Sequence, residues 1–181
     1  MPLMHPDLVG WRMAGAGGFL CREGGVIESQ GGSGILWYAG AEFEDFVLRV
    51  HWRFTGSEDN SGVFLRIPPL GSDPQPAIEQ GYEVQIDDRG FDPRTGRLGS
   101  TLHLTGAVYG LAPAALRASR ALGQWNEFEI TARRDAISVR LNDMPVARLD
   151  SAARRPRGHI GLQAHHDGSA VQFRGLRVKR L

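Results

Sequence analysis

A run of alternating apolar and polar residues, Gly81–Asp88, carries the side chains with the clearest capacity for chemistry. The alternation has the period of two that is typical of a half-buried β-strand. Its polar positions are Glu83, Gln85 and Asp87, so two carboxylates and an amide point the same way. A strand with a purely structural role more often places Thr, Lys or Ser there. We therefore expect this face to line a site in which a carboxylate moves a proton or binds a polar ligand.

The spacing of the two carboxylates limits the reaction that they could perform together. A fully extended strand separates Glu83 from Asp87 by roughly 13 Å. Paired carboxyls that cleave glycosidic bonds lie about 5–5.5 Å apart in retaining enzymes and about 6.5–9.5 Å apart in inverting enzymes. A pair of that kind would need a partner from a neighbouring strand or loop, such as Asp88 or Asp92.

Other predicted strands also present polar faces. The same alternation places on them His51, Arg53, Asn60, Arg66, Gln163 and His165. Planar amides, carboxylates and guanidinium groups can bond two neighbouring hydroxyls of a sugar at once. A sugar ring also packs its C–H face on an aromatic side chain, and Trp37 and Tyr109 are the candidates for that role.

Several of these residues also have a simpler interpretation. Arg66 and Glu83 could form a cross-strand ion pair on a sheet face. His51 lies between two arginines of its strand, which is more typical of a solvated face than of a ligand. His165 shortly precedes an Asp-Gly pair, so a role in a turn is as reasonable as a role in a site. The sequence leaves these alternatives open.

The segments that must position these residues are nearly all predicted strands. Short alternating segments recur about every ten residues, with turn signals between them and no long helix, which favours an all-β sandwich or barrel. Two sheets packed face to face fit the chain length better than a small barrel. Residues 70–80 and 88–105 are predicted loops, and 112–121 is predicted to contain a helical turn. The predicted strands are 19–22, 26–29, 35–38, 46–54, 61–67, 82–87, 106–110, 125–133, 136–141, 145–149, 158–164 and 171–181, the last with a bulge or bend at Gly175.

The size and composition are those of one soluble domain spanning residues 1–181. The net charge is +1 and the arginines are scattered, so neither a nucleic acid nor an anionic membrane is an expected partner. The single cysteine, Cys21, excludes an internal disulfide and a zinc site built on thiolates. No apolar run reaches the roughly 20 residues of a membrane span, and no signal peptide is visible. As given, the polypeptide is expected to be cytoplasmic; a removed leader would make it periplasmic or secreted.

Eight motifs, taken in order, resemble those of one known family, the 3-keto-disaccharide hydrolase domain. They cover nearly the whole chain, from about Trp11 to Leu181. The resemblance implies a concanavalin A-like jelly-roll sandwich, in which the concave face of one sheet binds sugar. It also implies action on glycosides that are oxidised at C3 of a sugar ring. The motifs are Ile35–Tyr38, Phe46–Val50, Asn60–Arg66, Gly81–Asp87, Thr105–Gly110, Trp125–Ile130, Gly158–Gln163 and Val171–Val178.

Such a substrate could be cleaved by hydrolysis or by elimination followed by hydration, and the ketone favours the elimination. The ketone acidifies the hydrogen on C2, a base removes it, and the C1 substituent leaves, after which water can add. Glu83 or His165 is the expected base, Arg66 or a metal the expected stabiliser of the enolate, and Asp87 an orienting group or acid. A divalent ion held by Glu83, Asp87 and His165 is conceivable, because carboxylate and imidazole are common ligands.

Three functions remain open from the sequence, and the shape of the site distinguishes them. A glycoside-cleaving enzyme should bury Glu83 and Asp87 beside Arg66 in a deep cleft, with a perturbed pKa. A non-catalytic, lectin-like carbohydrate-binding module should show a shallow groove with an exposed tryptophan. A structural or partner-binding sandwich should show a flat, filled face.

Overall fold

Two antiparallel β-sheets pack face to face around the apolar core in the computed structural model, which describes residues 1–4 and 7–181. The strands are β1 (Trp11–Gly15), β2 (Gly18–Arg22), β3 (Val26–Gln30), β4 (Gly34–Tyr38), β5 (Phe46–Arg53), β6 (Ser61–Ile67), β7 (Tyr82–Ile86), β8 (Asn126–Arg133), β9 (Ala136–Leu141), β10 (Met144–Leu149), β11 (His159–Ala164) and β12 (Gln172–Arg180). One α-helix, α1 (Gln75–Gln80), and a 3₁₀ turn, Glu23–Gly25, complete the elements among the described residues.

The strands divide into a five-stranded sheet, ordered β1-β4-β11-β6-β7, and a seven-stranded sheet, ordered β10-β9-β8-β5-β12-β3-β2. The predicted all-β fold of two antiparallel sheets is therefore confirmed. In β5 the alternation puts Phe46, Leu48, Val50 and Trp52 into the core between the sheets and its polar residues on the opposite face. Burial of each such side chain stabilises the fold by roughly 1.5–3 kcal/mol.

The five-stranded sheet packs its inner face on the core, and its outer face is partly covered as well. Every residue of β6 is buried. Val63 and Leu65 point into the core between the sheets, whereas Phe64 joins a second apolar cluster with Leu70 and with Ala77 of α1. Loops and α1 thus cover part of the outer face of the five-stranded sheet, meaning the face turned away from the seven-stranded sheet. Those covering segments form walls around the side chains that the outer face leaves uncovered.

The structure differs from the local predictions in four places, and it confirms the predicted bulge in β12. Trp11–Gly15 is a strand, although no strand was predicted there, and Gln75–Gln80 is a helix inside a predicted loop. Residues 106–110 form only isolated bridges and turns rather than a strand, and no helical turn occurs within 112–121. The predicted bulge in β12 is present, with positive φ at Gly175 and a register shift beside it.

No helix in the described part of the chain combines the length and the apolar character needed to cross a bilayer.

Candidate functional site

The outer face of the five-stranded sheet brings together most of the predicted site residues. Gly62 of β6 pairs with Gln85 of β7, and the pairing of Leu162 with Val63 continues to place Gln163 opposite Gly62. One cross-strand row therefore reads Gln163, Gly62, Gln85. Neighbouring strands lie about 4.8 Å apart, so side chains of this row and the rows beside it can reach a common ligand.

Gly62 makes room for the most unusual side chain of this face, Glu83. A Cβ atom built on Gly62 would overlap Oε1 of Glu83 and lie 2.7 Å from its Cγ. The Glu83 side chain consequently lies across Gly62, with its carboxylate in the middle of the row between Gln163 and Gln85. Any larger residue at position 62 would force the carboxylate to move.

The Glu83 carboxylate has no hydrogen-bond donor or cation within bonding distance among the described residues. Burial disfavours its charged form and raises the pKa of Glu83 to about 8. Part of the side chain still reaches solvent, because Glu83 lines a cleft of about 420 Å³. A carboxyl with such a pKa can accept or release a proton near neutral pH, as a general acid or base must.

Tyr109 lies beside Glu83 in the same cleft. The segment that carries it docks along the free edge of β7, where the amide of Tyr109 donates to the carbonyl of Glu83 at 2.9 Å and the amide of Gly106 donates to the carbonyl of Gln85 at 2.9 Å. Burial, followed by the negative charge of Glu83, raises the pKa of Tyr109. Its phenol therefore stays protonated and can donate a hydrogen bond into the cleft.

His103 forms a further part of the cleft wall and was not predicted from the sequence. Its Nδ1 shares a 2.7 Å hydrogen bond with Oγ of Ser100, and its ring meets that of Tyr109 edge to face at 4.7 Å. These contacts fix the orientation of both rings. The only sequence signal was the length of the 88–105 insertion, because long loops in compact domains are often functional.

Asp87 is fully buried next to the site, and its carboxylate organises the following loop. Oδ1 accepts a hydrogen bond from the amide of Arg89 at 2.9 Å, and Oδ2 accepts one from the amide of Phe91 at 3.1 Å. Nδ2 of Asn60, which directly precedes β6, approaches Oδ2 at 3.5 Å. Asp87 therefore has a positioning role in this structure, since it fixes the start of the segment that leads to the cleft wall.

Five buried polar atoms on and around this face have no hydrogen-bond partner among the described residues. They are Oε1 of Gln85, Oε1 of Gln163, Oγ1 of Thr105, Nδ1 of His165 and Nε1 of Trp37. An unpaired buried polar group costs about 1–3 kcal/mol, so atoms of this kind point to a ligand that completes their bonding. Two amide oxygens suit the hydroxyl donors of a sugar.

His165 belongs to the same group, and its surroundings favour the neutral form of its imidazole. Burial, followed by the proximity of His166, lowers the pKa of His165, while Asp87 acts in the opposite direction. A neutral imidazole presents one acceptor nitrogen, which fits the unpartnered Nδ1.

Arg66 does not join this group, which corrects its expected role. Its guanidinium is fully buried and donates to the carbonyl oxygens of Glu44 at 2.7 Å and Arg134 at 2.8 Å, with Asp45 at 3.5 Å. It therefore neither contacts a substrate in this structure nor forms the alternative cross-strand pair with Glu83. The positive φ of Arg66, beside a register shift between β11 and β6, turns the side chain away from the row that strict alternation predicts.

Trp37 and His51 also lie elsewhere than predicted. Trp37 is on the correct sheet but is only 3% exposed, because it packs edge to face on His159 at 4.9 Å within the second apolar cluster. It therefore offers no free ring face to a sugar. His51 lies on the outward face of the seven-stranded sheet, 3.7 Å from Glu127, on the opposite side of the molecule.

The proposed metal ligands do not assemble into a metal site in this structure. Among the described residues, no three His, Cys, Asp or Glu side chains are grouped so that they could hold an ion. Asp87 already uses its oxygens to accept hydrogen bonds from the loop amides. The residues present thus do not fit an ion held jointly by Glu83, Asp87 and His165.

Comparison with known proteins gives one family and a set of similar structures. The model of the family described as the 3-keto-alpha-glucoside-1,2-lyase-like domain matches residues 5–179. No curated protein matches the chain.

Two similar crystal structures are of candidate glycosyl hydrolases from Parabacteroides distasonis. The first is 21% identical, with a TM-score of 0.82 over 99% of this chain and 92% of the other. The second is 23% identical, with a TM-score of 0.77 over 100% and 98%. The carbohydrate-binding module CBM66 from Bacillus subtilis is 13% identical, with a TM-score of 0.66 over 94% and 95%. At these identities the likenesses show the fold, and they confirm the predicted concanavalin A-like sandwich.

Proposed function

Because the chain belongs to the family of 3-keto-alpha-glucoside-1,2-lyase-like domains, we propose that it cleaves the glycosidic bond of 3-keto-glycosides. The observation that carries the proposal is the position of Glu83. Its carboxyl group has a pKa of about 8 and lies in a cleft beside the protonated phenol of Tyr109. A base and a hydrogen-bond donor in one cleft are two of the groups that an elimination next to a ketone requires.

In the proposed reaction the ketone at C3 acidifies the hydrogen on C2. The ionised carboxylate of Glu83 removes that proton, and the electron pair of the broken C–H bond forms an enolate with the C3 carbonyl. The enolate then collapses, the C1–O bond breaks, and the departing oxygen takes up a proton to leave as an alcohol. The other product is an enone, and addition of water to its C1 gives the free 3-keto sugar.

The remaining groups bind the sugar and assist the departing oxygen. The phenol of Tyr109 donates a hydrogen bond to the oxygen that leaves C1, and His103 holds the Tyr109 ring in place. The unpaired amide oxygens of Gln85 and Gln163 accept hydrogen bonds from ring hydroxyls. Binding of the sugar thus completes the bonding of buried atoms that otherwise lack partners.

Turnover of a nitrophenyl 3-keto-glucoside by wild type and by Glu83→Gln tests the proposal. We expect the variant to lose activity by a factor of about 10²–10⁴, the usual contribution of a general base. Glu58→Gln is the matched control, because that carboxylate is 83% exposed and lies outside the cleft lining. Proton NMR of the products distinguishes an enone from the hydrated sugar. Full activity of Glu83→Gln would contradict the proposal.

Carbohydrate binding without turnover is the second candidate function. The similarity to a carbohydrate-binding module supports this candidate, since one fold can serve binding as well as catalysis. It predicts that wild type binds 3-keto-glycosides and leaves them intact, and that Glu83→Gln binds them equally well. Calorimetric titration beside the turnover assay separates the two functions.

A further inference from the structure

The mouth of the cleft has a composition that sugar binding alone does not explain. Three of its lining residues are exposed aliphatic side chains: Ile78 is 41% exposed, Leu102 37% and Leu111 40%. Ile78 belongs to α1, while the two leucines belong to separate parts of the segment after β7. Three apolar side chains from distant positions in the sequence therefore converge on one opening.

Two of the charged residues that line this opening are bonded within the protein. Asp92 accepts hydrogen bonds from the amide of Arg94 at 2.9 Å and from Oγ1 of Thr95 at 3.0 Å. The guanidinium of Arg154 donates to the carbonyl of Gly81 at 2.6 Å, and it also donates to the carbonyl of Ile78. Asp92 and Arg154 thus hold the walls of the cleft, and the three aliphatic side chains remain as surface for a ligand together with the exposed Arg94.

Glu83 is shared by the aliphatic part of the cleft and the polar row of the sheet. Its carboxylate lies over Gly62, between the unpaired amide oxygens of Gln85 and Gln163, and it also lines the cleft. A base that acts on C2 must have the sugar ring beside it, and the C1 substituent then extends away from the ring. With the ring on the polar row, that substituent extends along the cleft toward the aliphatic side chains.

We propose that the mouth of the cleft is a subsite for an apolar aglycone, so that alkyl and aryl 3-keto-glycosides are better substrates than 3-keto-disaccharides. This inference rests on the proposed function and names its substrate class. A second sugar would place several hydroxyls against Ile78, Leu102 and Leu111, none of which offers a side-chain hydrogen bond. An alkyl or aryl group would instead remove these side chains and itself from water. The volume of about 420 Å³ falls in the range of small-molecule sites.

The test compares two substrates whose leaving groups are chemically matched. Cyclohexylmethyl 3-keto-glucoside and a 1→6-linked 3-keto-disaccharide of the same anomeric form both expel a primary alcohol. We expect kcat/KM for the alkyl glycoside to be higher by roughly 10-fold or more, the scale on which apolar pockets discriminate. Equal values, or a preference for the disaccharide, would overturn the aglycone subsite and leave the proposed function intact.

Variants locate the preference on the named side chains. Leu102→Ser and Leu111→Ser should each lower kcat/KM for the alkyl glycoside by about 10-fold and change the disaccharide value much less. Leu122→Ser is the control, since that leucine is 57% exposed and lies outside the cleft. A preference that survives in both cleft variants would place its origin elsewhere and overturn the assignment.

A failure of the proposed function can be recognised separately. If neither substrate is turned over, the proposed reaction fails, and the subsite is then tested by calorimetric binding of unoxidised cyclohexylmethyl glucoside and isomaltose. Tighter binding of the alkyl glycoside, lost in Leu102→Ser, supports the subsite. Equal affinity for both overturns it.

Discussion

Glu83 should give the protein a recognisable dependence on pH. As a base the carboxylate must be ionised, so kcat/KM should rise with pH and level off above a midpoint near 8. The activity should not fall again until Tyr109 ionises, above the usual tyrosine range, because its pKa is raised. A pH–rate profile checks both limbs; a midpoint near the usual pKa of a glutamate, about 4.3, would contradict the role of Glu83.

The same carboxyl group should make stability fall as the pH rises. In the unfolded chain Glu83 loses its proton near pH 4.3, whereas the folded chain keeps it up to about pH 8. Between these values the folded state holds the extra proton, so each pH unit lowers the free energy of unfolding by at most about 1.4 kcal/mol. Denaturant titrations between pH 5 and 9 should show that the free energy of unfolding of Glu83→Gln increases relative to that of wild type as the pH rises. Parallel curves for the two proteins would argue against a buried, ionisable Glu83.

Gly62 should affect activity only because it leaves space for the carboxylate of Glu83. In Gly62→Ala the new methyl group displaces the Glu83 side chain, so we expect activity to drop at least about 10-fold and the pH midpoint to move below 8. Gly32→Ala is the matched control, because a Cβ there meets nothing within 4 Å. An unchanged midpoint in Gly62→Ala would show that Glu83 does not depend on this space.

Alternation identified Glu83, Gln85 and Gln163 as members of a polar face, and the structure places them on one face of one sheet. It failed for His51 because alternation tells which face of a strand is polar but not which sheet the strand joins. His51 lies on a polar face as well, but on the outside of the seven-stranded sheet. The pairing of strands that are distant in sequence decides this, and no local pattern records it.

At the scale of elements, the loop that follows β7 should depend on Asp87. Asp87→Ala leaves the amides of Arg89 and Phe91 without their acceptor, at a cost of about 1–3 kcal/mol each. We expect a lower melting temperature, a higher KM, and faster tryptic cleavage at the arginines of the 88–105 loop. Asp73→Ala is the control, since Asp73 accepts a comparable amide bond at the exposed start of α1. Equal proteolysis of the two variants would contradict the positioning role.

Each element that the sequence failed to predict has its own physical cause. Pro74 and Pro76 favoured a loop, yet a proline in the first turn of a helix removes no helical hydrogen bond, so α1 forms around Pro76. Residues 106–110 alternate like a strand, but positive φ angles at Gly106 and Gly110 bend the backbone after a few bonds to β7. The long 88–105 insertion was predicted as a loop, whereas its contacts with the sheet depend on the tertiary fold.

At the scale of the whole molecule, Arg66 ties the two sheets together. It extends from β6 to the carbonyl of Glu44, just before β5, and to that of Arg134, in the turn between β8 and β9. Arg66→Ala leaves the carbonyls of Glu44 and Arg134 without their donor, at a cost of about 1–3 kcal/mol for each buried group, so the variant should unfold at lower denaturant concentration. Its kcat/KM should stay near the wild-type value in conditions where it remains folded. A loss of activity without a loss of stability would show that Arg66 acts in the site after all.

The segment that carries Tyr109 also protects the edge of β7. By bonding to Glu83 and Gln85 through their backbone, it occupies the row of amides and carbonyls that β7 would otherwise present at the margin of its sheet. Unoccupied margins of this kind recruit strands from other chains and lead to aggregation. Truncating the segment to widen the cleft would therefore expose an unpaired strand edge, so the wall of the cleft and the protection against aggregation depend on the same few hydrogen bonds.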